Sequence, residues 1–148
     1  GTNAKMSEFA AAYGLVHLDE LEPNILYNKC MHHTYLEEFE IFQNIKFLEY
    51  EFNGVSNYQY IVAQVPASIR DSLVEHFHRN RILVRKYFYP GCHKMKPYIK
   101  HNNNKLINLK NTEDITSEII VFPNGRQMKK KDVSYFKNLF KDFNNLKK

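Results

Sequence analysis

Apolar and polar positions recur with different periods along the chain, and each change of period marks an element. Phe9 to Leu18, rich in Ala and Leu, reads as a helix with Ser7 as its N-cap. Gly14 inside it costs helix propensity, and close approach of another backbone is the reason expected for it. A longer helix is predicted from Leu21, with Pro23 in its first turn. Leu21, Ile25, Asn28, His32, Tyr35, Phe39 and Phe42 then recur on one side of it at helical spacing. A stripe of that length with polar members suits an interface or inter-domain helix as well as a core.

The period then falls to two. Lys46 to Phe52 is predicted as a half-buried strand, with Leu48, Tyr50 and Phe52 on one face and Glu49 and Glu51 on the other. Asn53-Gly54 is a turn signal. Asn57 to Val65 reads as a second strand, stopped by Pro66. Ile69, Leu73 and Phe77 mark an amphipathic helix to about Asn80, and Ile82 to Phe88 is predicted as a third strand. Pro90-Gly91 opens a loop, and the Asn-rich stretch from His101 to Lys105 is polar and expected to be mobile. Thr112 to Ser117 is expected as a short helix, Glu118 to Phe122 as a short apolar strand, and Pro123-Asn124-Gly125 as its end. The last helix carries Val133, Phe136, Phe140 and Phe143 on one stripe, with Leu139 and Leu146 beside it. Together these elements make an α+β fold with a three- to four-stranded sheet packed on helices. Residues 1–44 form a helical linker or interface segment, and residues 45–148 an α+β domain.

Composition adds limits. The 148 residues suit one domain with a proper core, and 43% hydrophobic and 25% charged residues are ordinary for a soluble globular protein. No apolar run is long enough to span a membrane, and Gly1 to Ala12 does not read as a signal peptide, so a cytoplasmic location is expected. Two cysteines, Cys30 and Cys92, cannot make a disulfide framework. The net charge of +5 sits in the tail: residues from Arg126 onward carry a balance of +6, and the rest of the chain −1. A nucleic-acid binder needs a basic face across its folded body, so that class is disfavoured, and Lys129, Lys130, Lys131, Lys137 and Lys141 are expected on the wet side of a helix.

Few constellations carry chemistry. Cys30 and His33 share one side of a helix and His32 points elsewhere, but no second ligand pair accompanies them, so no metal site is expected. His76 and His78, two apart on a helix, face apart and read as surface residues. The segment Tyr87-Phe88-Tyr89-Pro90-Gly91-Cys92-His93 differs, because it delivers three aromatic rings and a histidine to one edge. Such a rim suits stacking on a sugar or base with one hydrogen bond from the imidazole, or else is a plain strand end with core aromatics.

Three stretches, in order and spacing, resemble the DegT/DnrJ/EryC1/StrS aminotransferases, pyridoxal-phosphate enzymes that aminate nucleotide-linked keto sugars. They are Gly1-Thr2-Asn3-Ala4-Lys5-Met6-Ser7-Glu8 with the Ala-rich run to Gly14-Leu15; Val84 to Tyr98 with its Tyr-Phe-Tyr-Pro-Gly-Cys-His core; and Ile120-Val121-Phe122-Pro123-Asn124-Gly125. The resemblance implies the small C-terminal domain of a fold-type-I aminotransferase with a long N-terminal linking helix. It also implies pyridoxal phosphate in the full-length family protein, glutamate and a nucleotide sugar as substrates, and a homodimer. Asn3 and Lys5 match cofactor-binding positions, the asparagine reaching the cofactor phosphate of a neighbouring subunit and the lysine pointing at the same anionic region or at the substrate. His93, Tyr87, Tyr89, Asn57 and Tyr58 match positions on the sugar side. The motif of the Schiff-base lysine is absent from these residues, and Lys5 does not match it. The chain alone is therefore expected to bind no pyridoxal phosphate and to be inactive, with no catalytic residue of its own. The alternative is a non-catalytic assembly module that pairs with itself or with a full-length homologue.

Overall fold

The computed structural model describes residues 4–49, 56–101 and 109–146. Two helices come first, α1 (Glu8–Asp19) and α2 (Leu21–Phe39). A sheet follows, built from β1 (Lys46–Phe47), β2 (Ile61–Gln64) and β3 (Ile119–Phe122). Between β2 and β3 run α3 (Ala67–Arg79), a 3₁₀ turn at Cys92–Lys94, α4 (Lys96–His101) and α5 (Lys110–Glu118). The last helix, α6 (Lys130–Leu146), closes the fold.

The sheet order is β1-β2-β3 and both pairings are antiparallel. Its register sets Phe47 opposite Ala63 and Ala63 opposite Ile120. That row faces the core, where the rings of Tyr35, Phe39, Phe47 and Phe122 meet with centroids 5.1 to 6.3 Å apart. Phe77 of α3 meets Phe122 edge-on, and Phe140 of α6 packs on Phe39. Each fully buried ring contributes roughly 1.5–3 kcal/mol by leaving water. Polar ties also join α2 to distant chain: the buried Tyr35 hydroxyl donates to Pro123 O at 2.8 Å, the Tyr27 hydroxyl donates to Met128 O, and Glu38 accepts from Ser134 and Lys137 of α6.

Helices α1, α2, α3, α5 and α6 stand where the sequence placed them, whereas α4 forms inside the stretch expected as a loop after Pro90-Gly91. Ser7 caps α1 through Ala10 N, and the α6 stripe Val133, Phe136, Phe140, Phe143 is buried. Leu146 is 77% exposed, so the stripe ends one turn before it. Lys129, Lys130, Lys131 and Lys141 are exposed, while Lys137 is drawn into its pair with Glu38. Gly14 has nothing within 4 Å of the position a Cβ would take, so the close packing expected there is not found among the described residues.

The strands depart further from expectation. Phe47, not Leu48, faces the core, because the aromatic cluster selects the face; Leu48 is left 45% exposed. Residues 50–55, including Tyr50, Phe52 and the Asn53-Gly54 turn, lie outside the described residues, as do 102–108 of the Asn-rich stretch. The third strand from Ile82 to Phe88 does not form. Ile82 and Val84 are buried and Leu83 exposed as in a strand, yet only Arg85 pairs with the sheet, through Val121. The chain then turns, with Tyr89 N donating to Lys86 O. His76 is half-buried rather than on the surface, its Nε2 3.1 Å from Leu139 O; His78 is exposed and its ring contacts Val84 O at 2.8 Å.

Candidate functional site

The segment between Arg85 and α4 makes a rim of rings, of which Tyr87, Tyr89 and His93 are held by residues distant in sequence. Arg85 donates from Nη1 to the Tyr87 hydroxyl. The Tyr87 ring stacks on Phe88 at 5.1 Å and 16°, and meets Tyr60 edge-on at 6.1 Å. That contact joins the rim to the segment leading into β2. Phe88 is 63% exposed, so its ring faces solvent as a stacking surface. The peptide bonds Tyr87–Phe88 and Tyr89–Pro90 are both cis.

Tyr89 lies over Arg70 of α3, whose guanidinium carbon is 4.2 Å from the ring centre; Lys86 Nζ is 5.4 Å from the same centre. Arg70 is 2% exposed. Its Nε stands 3.0 Å from an Asp71 carboxylate oxygen, but the N–H is not aimed along that line, so the contact is Coulombic rather than a hydrogen bond. Lys86 makes the better-directed contact to Asp71, at 3.1 Å.

His93 is fixed from α5. Its Nε2 lies 3.1 Å from Oε1 of Glu113, and Lys94 Nζ takes Oε2 of the same carboxylate at 2.7 Å. Lys94 first, then His93, hold the Glu113 carboxyl below the usual carboxylate range by hydrogen bonding to its charged form. The imidazole folds back over Gly91: a Cβ there would stand 2.8 Å from His93 Cε1. Gly91 has φ +95°, a conformation glycine takes without strain.

Asn57 and Tyr58 form a separate, tightly specified turn. Tyr58 has φ +50°, which costs a non-glycine residue roughly 1–2 kcal/mol. Polar contacts hold it, among them one from Asn28 Nδ2 of α2 to Asn57 O at 3.3 Å. Asn57 Oδ1 accepts from Gln59 N, Ser56 Oγ accepts from Tyr58 N, and Asn124 Nδ2 donates to Tyr58 O at 2.8 Å. The Tyr58 ring packs 5.5 Å from His32, and Lys29 of α2 lies over it at 5.9 Å.

The structure thus brings Tyr87 beside the start of β2 and anchors Tyr89 and His93 from two different helices. Asn57 and Tyr58 stand on the α2 side. Lys5 is exposed ahead of α1, and Asn3 lies outside the described residues. The anchors Arg70, Glu113 and Tyr60 carry no local signal in the sequence. Glu113 lies 20 positions from His93 across the Asn-rich stretch, and Arg70 sits on a helix where arginine is ordinarily solvated. None of the described lysines is buried, and the half-buried pair, Lys86 and Lys137, is committed to Asp71 and Glu38.

The fold is that of one part of the fold-type-I aminotransferases. It matches DesI, solved with its TDP-sugar product, with a TM-score of 0.84 and 30% identity, over 95% of this chain and 36% of that one. It also matches Helicobacter pylori PseC, an aminotransferase of pseudoaminic acid biosynthesis, with a TM-score of 0.85 and 18% identity over 98% of this chain and 39% of that one, a likeness of fold alone. The model of the DegT/DnrJ/EryC1/StrS aminotransferase family matches residues 1–140, and the chain belongs to that family. Among curated proteins, it is 31% identical over 126 residues to the Escherichia coli dTDP-4-amino-4,6-dideoxy-D-glucose transaminase, across 83% of this chain. The chain spans about a third of the length of the curated relatives it matches, 34% in that case. No helix among the described residues is long and apolar enough to cross a membrane.

Proposed function

We propose that these residues are the substrate-side domain of a pyridoxal-phosphate aminotransferase that moves an amino group from glutamate to a nucleotide-linked keto sugar, in cytoplasmic synthesis of cell-surface polysaccharide. The observation that carries this reading is the aromatic rim that ends in His93, fixed from α3 and α5 within a chain whose family match runs over residues 1–140. In this reading Tyr87, Tyr89 and His93 line the sugar side, with Asn57 and Tyr58 flanking it. Asn3 and Lys5 reach across a homodimer to the cofactor phosphate, where a carboxamide NH₂ and an ammonium both suit an anion. The Schiff-base lysine comes from outside these 148 residues, so they form no aldimine alone.

Two experiments test this. Mixed with pyridoxal phosphate, the 148-residue chain is expected to show no internal-aldimine absorbance; a lysine adduct trapped by borohydride would overturn the assignment of the lysine elsewhere. In a protein carrying this domain together with a lysine-bearing cofactor segment, His93→Ala is expected to lower kcat/KM for the keto sugar by about tenfold, the worth of one hydrogen bond. Unchanged kcat/KM would remove His93 from the substrate side.

A second reading, a non-catalytic assembly module, is favoured by one observation. Helix α1 buries no residue, and Phe9, Tyr13, Leu15, Val16 and Leu18 are 61–83% exposed. Sedimentation tests this second reading, since a clean monomer at high concentration counts against self-assembly.

A further inference from the structure

Glu113 is tied to the rim in a way that decides the chemistry of His93. A carboxylate held below its usual range is ionised near neutral pH and can only accept hydrogen bonds. Its Oε1 lies 3.1 Å from His93 Nε2, so that nitrogen must carry the proton. Lys94 occupies the other oxygen at 2.7 Å, which leaves Oε1 to the imidazole. The ring is further confined by Gly91 beneath it, and its side chain is only 10% exposed. Nδ1 lies on the ring edge that faces Gly91, 3.0 Å from the position a Cβ there would take.

We propose that Glu113 is a positioning residue for His93: it takes the Nε2 proton, locks the neutral imidazole in the Nε2–H form, and leaves Nδ1 as an acceptor. Helix α5, remote in sequence from the rim, would in this way fix the orientation and the proton position of the rim's histidine. The neighbouring Lys94 acts only on the opposite carboxylate oxygen and leaves the ring form unchanged.

The test is proton-detected nitrogen NMR of the imidazole in the 148-residue chain at mildly alkaline pH. It needs no substrate, so it fails or succeeds apart from the aminotransferase reading. A downfield N–H proton correlated to His93 Nε2 is expected in the unsubstituted chain, because a bond to a carboxylate slows its exchange with water. The signal is expected to persist in Lys94→Met and to be lost in Glu113→Ala. The proposal is overturned by a proton found on Nδ1, by absence of the Nε2 signal in the unsubstituted chain, or by its survival in Glu113→Ala. The spectrum of the unsubstituted chain decides even if Glu113→Ala fails to fold.

Discussion

The guanidinium of Arg70 lies 4.2 Å beneath the ring of Tyr89, with its own side chain almost wholly buried and Nε and Nη1 without hydrogen-bond partners. Such a charge contributes little net stability, because desolvation offsets its Coulombic gain. Its packing contributes more. Arg70→Ala is therefore expected to cost about 2–4 kcal/mol through the cavity it leaves, whereas Arg70→Met, which refills the volume, stays within about 1 kcal/mol of the original chain. Urea unfolding compares the two, and equal losses would show that the charge, not the volume, matters.

Tyr35 predicts an alkaline limb. Burial, and secondarily the negative charge of Asp132, push its phenol far above the ordinary tyrosine value. In the unfolded chain it ionises near pH ~10. Its contribution is thus complete below that pH and declines as pH rises above it, at up to about 1.4 kcal/mol per unit. Tyr35→Phe should flatten this limb and cost about 1 kcal/mol at neutral pH for the bond to Pro123 O. Stability curves between neutrality and about pH 11 check both effects.

The acid limb belongs to two glutamates. Hydrogen bonds from Lys137 and Ser134 hold Glu38 below the usual range, and Lys94 and His93 do the same for Glu113. Depressed carboxyls stabilise fully above the unfolded value near ~4.3, and that stabilisation is lost as pH falls through the folded values. Glu38→Gln and Glu113→Gln should each make stability less dependent on pH in that window. Denaturant midpoints measured from about pH 6 downward would show it, and an unchanged slope in both would contradict these assignments.

Gly91→Ala is expected to destabilise by about 1–3 kcal/mol, since φ +95° disfavours a Cβ and that atom would press on the imidazole. Because the ring must move, the His93–Glu113 contact should weaken too. Thermal unfolding reads the first effect and the His93 ring resonances the second.

Helices were legible because their apolar stripes are local: the stripe from His32 to Phe39 and the stripe Val133 to Phe143 name the faces that are buried. The strands were less so. Lys46 to Phe52 alternates in either parity, and the choice of Phe47 over Leu48 is made by Tyr35, Phe39 and Phe122, all distant in sequence. The segment at Ile82 has the alternation of a strand but meets the sheet at one residue, because pairing depends on where the chain next turns. At the candidate site the rings and His93 were visible as a cluster along the chain. Their anchors, Arg70 and Glu113, were not, since each reaches the rim from a helix far away in sequence.

Helix α1 has a consequence for local stability. A helix of 12 residues is marginal in water by itself, and α1 gains no buried side chain from the fold it precedes. Its Ser7 cap and the Glu20–Arg126 ion pair at its far end are surface interactions of small worth. The free energy needed to open α1 is therefore close to zero, far below that of the sheet, and its amides should exchange with solvent orders of magnitude faster than those of β2. Whatever surface comes to cover Phe9 and Leu18 would make that helix fold and dock in one coupled step.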